Sequence, residues 1–477
     1  MEATAQPRSI LARRMPFVGV ALAILFFYYL AEISDAGTAF GRPSPPLNLT
    51  FNSMLDHLLR GRFDVDPWTA GNEGFSRGGL VYAYWGIFPA LLRLPLLVSS
   101  RWLQTDVTLW SCWIAVCAAV AIKLHTLRIV GRAAPGVPAW LLSYTAIALA
   151  LSGAQICFLR PLLYQEVCLW AGVFAALFVL AGVRGVPSGF AKGHDLEIMA
   201  LAFGGCLLTR VSIAIGLLAA LMAVMLVILM RRRPPGNALA RVQVLRPLII
   251  AGCFVGIAAF VNFQRFGNIA TFADYSIYNY NRLFPDRIAR TAAYGLFNIG
   301  RLPFGTIYYF FPVWVIHGSN HQLLLGTMRD RLIDAAELPP GSFLLTDPFL
   351  LLLGLSGVTT MVKRKLAGSS EKALVTAIAG GLVVPALLML TAISMCFRYR
   401  LDFYPLFEFL AFVGLATYGT SEVRPRWASR RVLLLLLFVS VAFSHLEMAL
   451  YRLGDLGPAQ HFIAPGGVVH YYARLIF

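Results

Sequence analysis

Arginines and carboxylates that interrupt apolar stretches are the residues in this chain best suited to chemistry. Arg210 follows Leu207-Leu208-Thr209 in the middle of the apolar residues 198–230. Glu166 opens another apolar stretch just after Arg160-Pro161. Arg398-Tyr399-Arg400-Leu401-Asp402, with Pro405, precedes a third, and Glu408 lies about one turn deeper. An unpaired ionised group in hydrocarbon costs several kcal/mol, so such residues either pair or serve a ligand. Guanidinium groups clustered at a membrane boundary have a natural counter-ion in a phosphate, which they grip bidentately. Arg210, Arg398 and Arg400 are therefore candidate phosphate ligands, and Glu166 and Asp402 are candidates for holding those arginines in place. Blander roles compete. Arg210 could snorkel to lipid headgroups, the other two arginines could anchor at the interface, and the carboxylates could be structural partners only.

A second constellation is Asp64 and Asp66, one residue apart in Gly61-Arg62-Phe63-Asp64-Val65-Asp66-Pro67-Trp68. With Glu73 and the aromatics that follow, it could supply a general base or hold a divalent cation on oxygen ligands, or it could be a solvated turn. His317 and His321 are four residues apart, but Gly318-Ser319-Asn320 between them disfavours the helix that a metal pair would need. The seven cysteines lie in or beside apolar stretches without metal-type spacing and read as small core residues. No Ser or Thr nucleophile is found with a paired His, which leaves an acyl or phosphoethanolamine transferase without support.

The elements that carry these residues follow from composition. Of 477 residues, 58% are hydrophobic and 13% are charged. Soluble domains carry about 25% charged residues, so a water-soluble globular protein is excluded. Apolar stretches of roughly 15–20 residues predict membrane-spanning helices rather than a barrel. They fall at 16–33, 106–122, 139–159, 167–183, 198–209, 211–230, 247–261, 349–362, 373–393, 406–420 and 432–447, about eleven in all. The expected fold is thus an all-α polytopic membrane protein, with residues 1–477 forming one transmembrane domain. The N-terminal run reads as an uncleaved first helix, because it is longer than a signal-peptide core and ten spans follow.

With the N-terminus cytoplasmic, the loops 1–15, 123–138, 184–197, 231–246, 363–372 and 421–431 share the cytoplasmic side. Those 82 residues hold 21 of the 40 Lys and Arg, including all five lysines, against five acidic groups. The positive-inside rule then places the C-terminus outside, in a bacterial inner membrane. The formal charge of +17 is accounted for as topology and attraction to anionic lipid, with no nucleic-acid partner. The soluble mass is outward: a first periplasmic loop at 34–105, a longer one at 262–348, and a tail at 448–477. Cytoplasmic loops are too short for a nucleotide-binding domain, no phosphate-binding glycine motif is present, and no internal repeat is found. In the first loop, Asn48-Leu49-Thr50 can cap a surface-lying helix that runs to Leu59. The segment 87–99, broken by Pro89 and Pro95 and carrying Arg93, reads as a second surface-lying or re-entrant helix.

The order of these pieces resembles the GT-C superfamily of polytopic glycosyltransferases, in particular bacterial protein-mannosyltransferase and aminoarabinose-transferase types. The resemblance rests on Leu58-Leu59-Arg60-Gly61 closing the first-loop helix and on Leu208-Thr209-Arg210 in mid-chain. Asn262-Phe263, Arg265-Phe266-Gly267 at the start of the long loop and Arg398-Tyr399 with Asp402 and Pro405 complete it. The family's acidic pair, about fourteen residues before that first-loop glycine, is replaced here by Leu47-Asn48.

The resemblance implies transfer of a sugar from a polyprenyl-phosphate donor to an acceptor hydroxyl on a glycan, lipid or protein, with no nucleotide and no resident cofactor. Arg210, Arg398 and Arg400 would hold the departing phosphate. Asp64 or Asp66 would deprotonate the acceptor, and displacement would invert the anomeric centre. A flippase or binding protein for the same lipid needs the arginines but no base, and the missing acidic pair suits it.

Overall fold

The computed structural model describes residues 8–191, 194–231, 238–312, 327, 331–332, 334–336, 341–363, 369–418, 429–453, 470 and 473–474. His317, His321, Trp314 and most of the 448–477 tail lie outside the described residues. Each of the eleven apolar stretches falls on helix. The long helices are α1 (Arg8–Ile33), α3 (Thr108–Ala133), α4 (Ala139–Leu151), α5 (Leu163–Gly185), α6 (His194–Leu207), α7 (Val211–Arg231) and α8 (Ala238–Phe266), with α2 introduced below. The C-terminal half adds α9 (Pro348–Lys363), α10 (Ser369–Thr391), α11 (Tyr404–Tyr418) and α12 (Arg430–Leu453). Among the described residues, eight helices are long and apolar enough to cross a membrane. Two of the eight, Ala139–Cys157 and Phe397–Tyr418, join α4 and α11 to the short helical turn next to each, whereas the apolar part of α1 (Gly19–Ile33), the 14-residue α6 and the Pro348–Thr359 part of α9 are shorter. The chain is a mostly helical, multi-pass membrane protein.

Helices pack most extensively as α3 with α5, α9 with α11, and α7 with α10. Inside a bilayer, association depends on close approach rather than on expelling water, so small residues sit at such contacts. Gly381 of α10 lies so near α7 that a Cβ there would come within 2.2 Å of the Ala220 nitrogen. A charged pair joins two of these helices inside the bundle. Lys123 of α3 meets Glu408 of α11 at 2.5 Å and donates to Gln155 Oε1 at 2.8 Å. Lys123 therefore belongs to a helix interior and not to the loop 123–138, because α3 runs on to Ala133.

The first long segment between spans, 34–105, builds its own small core. The helix α2 (Thr50–Leu59) starts where the Thr50 hydroxyl donates to Leu47 O at 2.7 Å, and it buries Phe51, Met54 and Leu55. These residues pack with Val65, Trp85 and Ile87 against Leu163 and Val167 of α5, Leu208, and Ala258 and Val261 of α8. A hairpin of β1 (Phe75–Arg77) and β2 (Leu80–Tyr82) turns through Gly78 and Gly79, both at positive φ (58° and 78°). The segment 87–99 folds as two short helices, Phe88–Leu91 and Leu94–Val98, with Arg93 fully buried between them. Arg93 grips Glu166 with both terminal nitrogens, one at 2.8 Å, and bonds Pro89 O at 3.1 Å, which clasps the loop to the bundle.

Candidate functional site

A cavity of about 230 Å³ opens where the segment 34–105 meets the ends of α5, α6, α7 and α8. Its wall includes Tyr84 to Ile87, Tyr164, the α6–α7 turn from Leu207 to Ser212, Asn262, Arg265, Tyr275, Arg398 and Tyr399. The loop can cross so close to the α6–α7 turn because residue 86 is glycine. A Cβ at Gly86 would lie 2.0 Å from Leu208 O, and the same carbonyl accepts from Phe88 N at 2.8 Å.

Three guanidinium groups line this cavity, and they are neutralised unequally. Arg210, at the start of α7, is held by Asp402, with Nη2 at 2.6 Å and Nε at 3.2 Å from Oδ2. Asp402 is fully buried. Arg398 lies over the Tyr164 ring, 3.7 Å from its centroid, and forms no ion pair among the described residues. Arg265, at the end of α8, is 3% exposed. It donates to Trp85 O at 2.8 Å and contacts Met54 Sδ at 3.4 Å, while its Nε has no partner among the described residues. One carboxylate against three arginines leaves a cavity that favours an anion, because the walls are largely apolar and partly shielded from water.

The sequence candidates separate on this geometry. Arg210 and Arg398 both line the cavity, and Asp402 pairs with Arg210. Arg400 does not line the cavity, and its guanidinium lies over Phe343 (5.5 Å) and Phe397 (5.2 Å) in the bundle core. The cause is local. Residues 397–403 form a 3₁₀ helix, in which positions two apart project to different sides. Glu166 is the partner of Arg93 instead of the cavity arginines.

Asp64 and Asp66 lie in a separate cluster and do not line the cavity. Asp64, 4% exposed, accepts from Arg62 Nε at 3.0 Å and sits 3.2 Å from His57 Nδ1. Asp66 accepts from the Ser53 hydroxyl at 2.8 Å and lies 3.5 Å from His57 Nε2. Burial would raise the Asp64 carboxyl, but the hydrogen bonds from Arg62 and His57 outweigh it and hold it below the usual carboxylate range.

Asn48, where the resemblance would put an acid, is a buried clasp. Its amide donates to Asp106 (2.9 Å) and to Pro161 O (3.0 Å), and its Oδ1 accepts from Leu163 N at 3.1 Å. An aspartate could make only the last of these. Among the described residues, no three His, Cys, Asp or Glu side chains converge as metal ligands would.

The sequence alone gives Arg265 of the cavity wall no role, and it groups Glu73, which does not line the cavity, with Asp64 and Asp66. Arg265 follows the end of an apolar stretch, as Arg210 does, so the same boundary criterion reaches it. Glu73 lies in the turn Gly71–Glu73 and accepts from Tyr278 Oη at 2.6 Å. The Tyr278 phenol is pushed well above its ordinary range by burial and by Glu73, so it remains a donor.

The chain is similar in structure to an archaeal oligosaccharyltransferase. That protein, from Archaeoglobus fulgidus in its apo form, gives a TM-score of 0.47 at 14% identity, over 96% of this chain and 60% of its own. ArnT from Cupriavidus metallidurans, bound to undecaprenyl phosphate, gives 0.42 at 15% identity, over 98% of this chain and 77% of its own. This chain thus spans about 60% of the length of the archaeal protein. No family model and no curated protein sequence matches it.

Proposed function

We propose that this protein is an inverting GT-C glycosyltransferase of a bacterial inner membrane. It moves a sugar from a polyprenyl-phosphate donor to an acceptor hydroxyl at the periplasmic face. The observation that carries the reading is the pair Arg265 and Arg398, two cavity arginines without carboxylate partners among the described residues, beside an Arg210 already held by Asp402. A donor phosphodiester has one negative charge and the departing lipid phosphate has two. Positive groups fixed in a partly desolvated cavity therefore favour the leaving group over the bound donor, which is what lowers a barrier. A phosphate is a competent leaving group once so stabilised, and no general acid is required. The aromatic wall of Tyr84, Trp85, Tyr164 and Tyr275 suits either a sugar face or the first isoprene units.

The basic loops support the orientation, with the N-terminus cytoplasmic and the cavity outward, where nucleotide sugars are unavailable. A non-enzymatic flippase or binding protein for the same lipid is the second reading, favoured by the structural use of Asn48. Native mass spectrometry of the detergent-purified protein tests the lipid class. A co-purified polyprenyl phosphate, lost in Arg398→Ala, is the expected result. Absence of isoprenoid lipid from both samples, and no binding of added undecaprenyl phosphate, refutes both readings.

A further inference from the structure

We propose that Glu73 is the general base of the transfer, with Tyr278 as its positioning residue; this rests on the transferase reading above. A base for this reaction must be ionised, fixed in place, and close to the donor phosphate without being neutralised by the arginines that hold it. The first-loop candidates differ sharply on those counts. Asp64 is tied to Arg62, and Asp56 to Arg60 at 2.9 Å, while Asp66 is turned to Ser53 and His57. Glu166 and Asp402 are consumed by Arg93 and Arg210. Glu73 forms no ion pair among the described residues, and its strong contact is a phenol, which orients a carboxylate without cancelling its charge.

Its placement links it to the phosphate cradle. Tyr278, which donates to Glu73, lies beside Tyr275 of the cavity wall with ring centroids 6.0 Å apart, and Phe75, two residues from Glu73, packs on Tyr84 of the same wall at 5.6 Å. The backbone on either side of Glu73 is pinned to the second outer loop. Asn279 N donates to Gly74 O at 2.9 Å, Ser76 N donates to Ile277 O at 3.0 Å, and Phe75 stacks on Tyr278 at 4.8 Å. Gly74 leaves no space for a side chain, since a Cβ there would meet Val81 Cγ1 at 2.4 Å. Such a two-loop clamp holds a group to the tolerance that proton transfer requires.

In the step, the acceptor hydroxyl gives its proton to the Glu73 carboxylate as the acceptor oxygen bonds the anomeric carbon. The bond from that carbon to the phosphate oxygen breaks, and its electron pair stays on the phosphate. The phosphate gains one negative charge opposite Arg398 and Arg265, and the proton then leaves Glu73 for water at the cavity mouth.

The test uses the full-length protein in nanodiscs of bacterial phospholipid, with undecaprenyl phosphate as binding probe and a panel of synthetic undecaprenyl-phosphoryl hexoses as donors. Water and added alcohols serve as acceptors. E73Q is expected to lower release of undecaprenyl phosphate by about 100-fold or more while binding of the probe stays within about twofold of wild type. Formate should restore part of the rate to E73A, and Y278F should lower kcat with little change in KM. Unfolding temperatures matching wild type establish that these variants fold, and E73D serves if E73Q does not. Wild-type turnover in E73Q, or loss of probe binding together with rate, overturns the role of Glu73 and leaves the transferase reading intact. Binding without any turnover by the wild type overturns the transferase reading and this inference with it.

Discussion

The Arg398 guanidinium rests 3.7 Å from the centroid of the Tyr164 ring, with no carboxylate partner among the described residues. A cation carried on a π-face keeps its hydrogen-bond donors for a ligand, whereas Arg210 has committed two of its nitrogens to Asp402. The division suggests distinct duties, with Arg210 as part of the wall and Arg398 as the variable contact.

Arg398→Ala should therefore abolish retention of polyprenyl phosphate, and Arg398→Lys should recover only part of it, because an ammonium neither stacks as a plane nor binds bidentately. The loss for Ala is expected to exceed tenfold in Kd, about 1.4 kcal/mol or more. Titration of undecaprenyl phosphate into nanodiscs checks it, and equal affinity in wild type and Ala would remove Arg398 from the site.

Gly86→Ala should weaken the same binding although residue 86 would add no charge. Its Cβ would press on Leu208 O at 2.0 Å, displacing Trp85, whose carbonyl anchors Arg265. The expected signature is reduced affinity for undecaprenyl phosphate with helical content unchanged by circular dichroism.

Lys123 and Glu408 form a pair that is buried in the bundle, at 6% and 4% side-chain exposure. Lys123→Met alone leaves a buried carboxylate and should cost about 3–5 kcal/mol. Lys123→Met with Glu408→Leu should recover most of that loss, since an apolar pair of similar volume removes both charges. Unfolding of the four proteins in one detergent completes the double-mutant cycle.

Asp64 carries a pH dependence of stability. Its folded carboxyl lies below its unfolded value, since the Arg62 and His57 contacts outweigh the opposing effect of burial. The stabilisation is thus present above the ordinary carboxylate value and fades as pH falls through the lower folded one. Asp64→Asn should lower Tm near neutral pH, and the gap from wild type should narrow below about pH 4. Melting curves from pH 3 to 7 measure this, and a gap that stays constant across the range would contradict it.

Much of this molecule was legible in the chain because a bilayer imposes a simple rule. Every backbone polar group must be satisfied within its own segment, so apolar runs become helices, and all eleven do. The same rule makes ionisable residues at span ends conspicuous, and Arg210, Arg398 and Asp402 were recognisable for that reason. Tertiary structure alone decided the partners. Glu166 went to Arg93, whose segment is broken by two prolines and takes its shape only when packed against α5. Arg398 and Arg400, two residues apart on one helical segment, project to different sides, and only packing decided which of them faces the cavity. Glu73 gained its position from Asn279 and Tyr278, some two hundred residues away. Hydrophobic periodicity is a local property and survives in one dimension. The direction of a side chain at the membrane boundary depends on which distant backbone fills the space beside it.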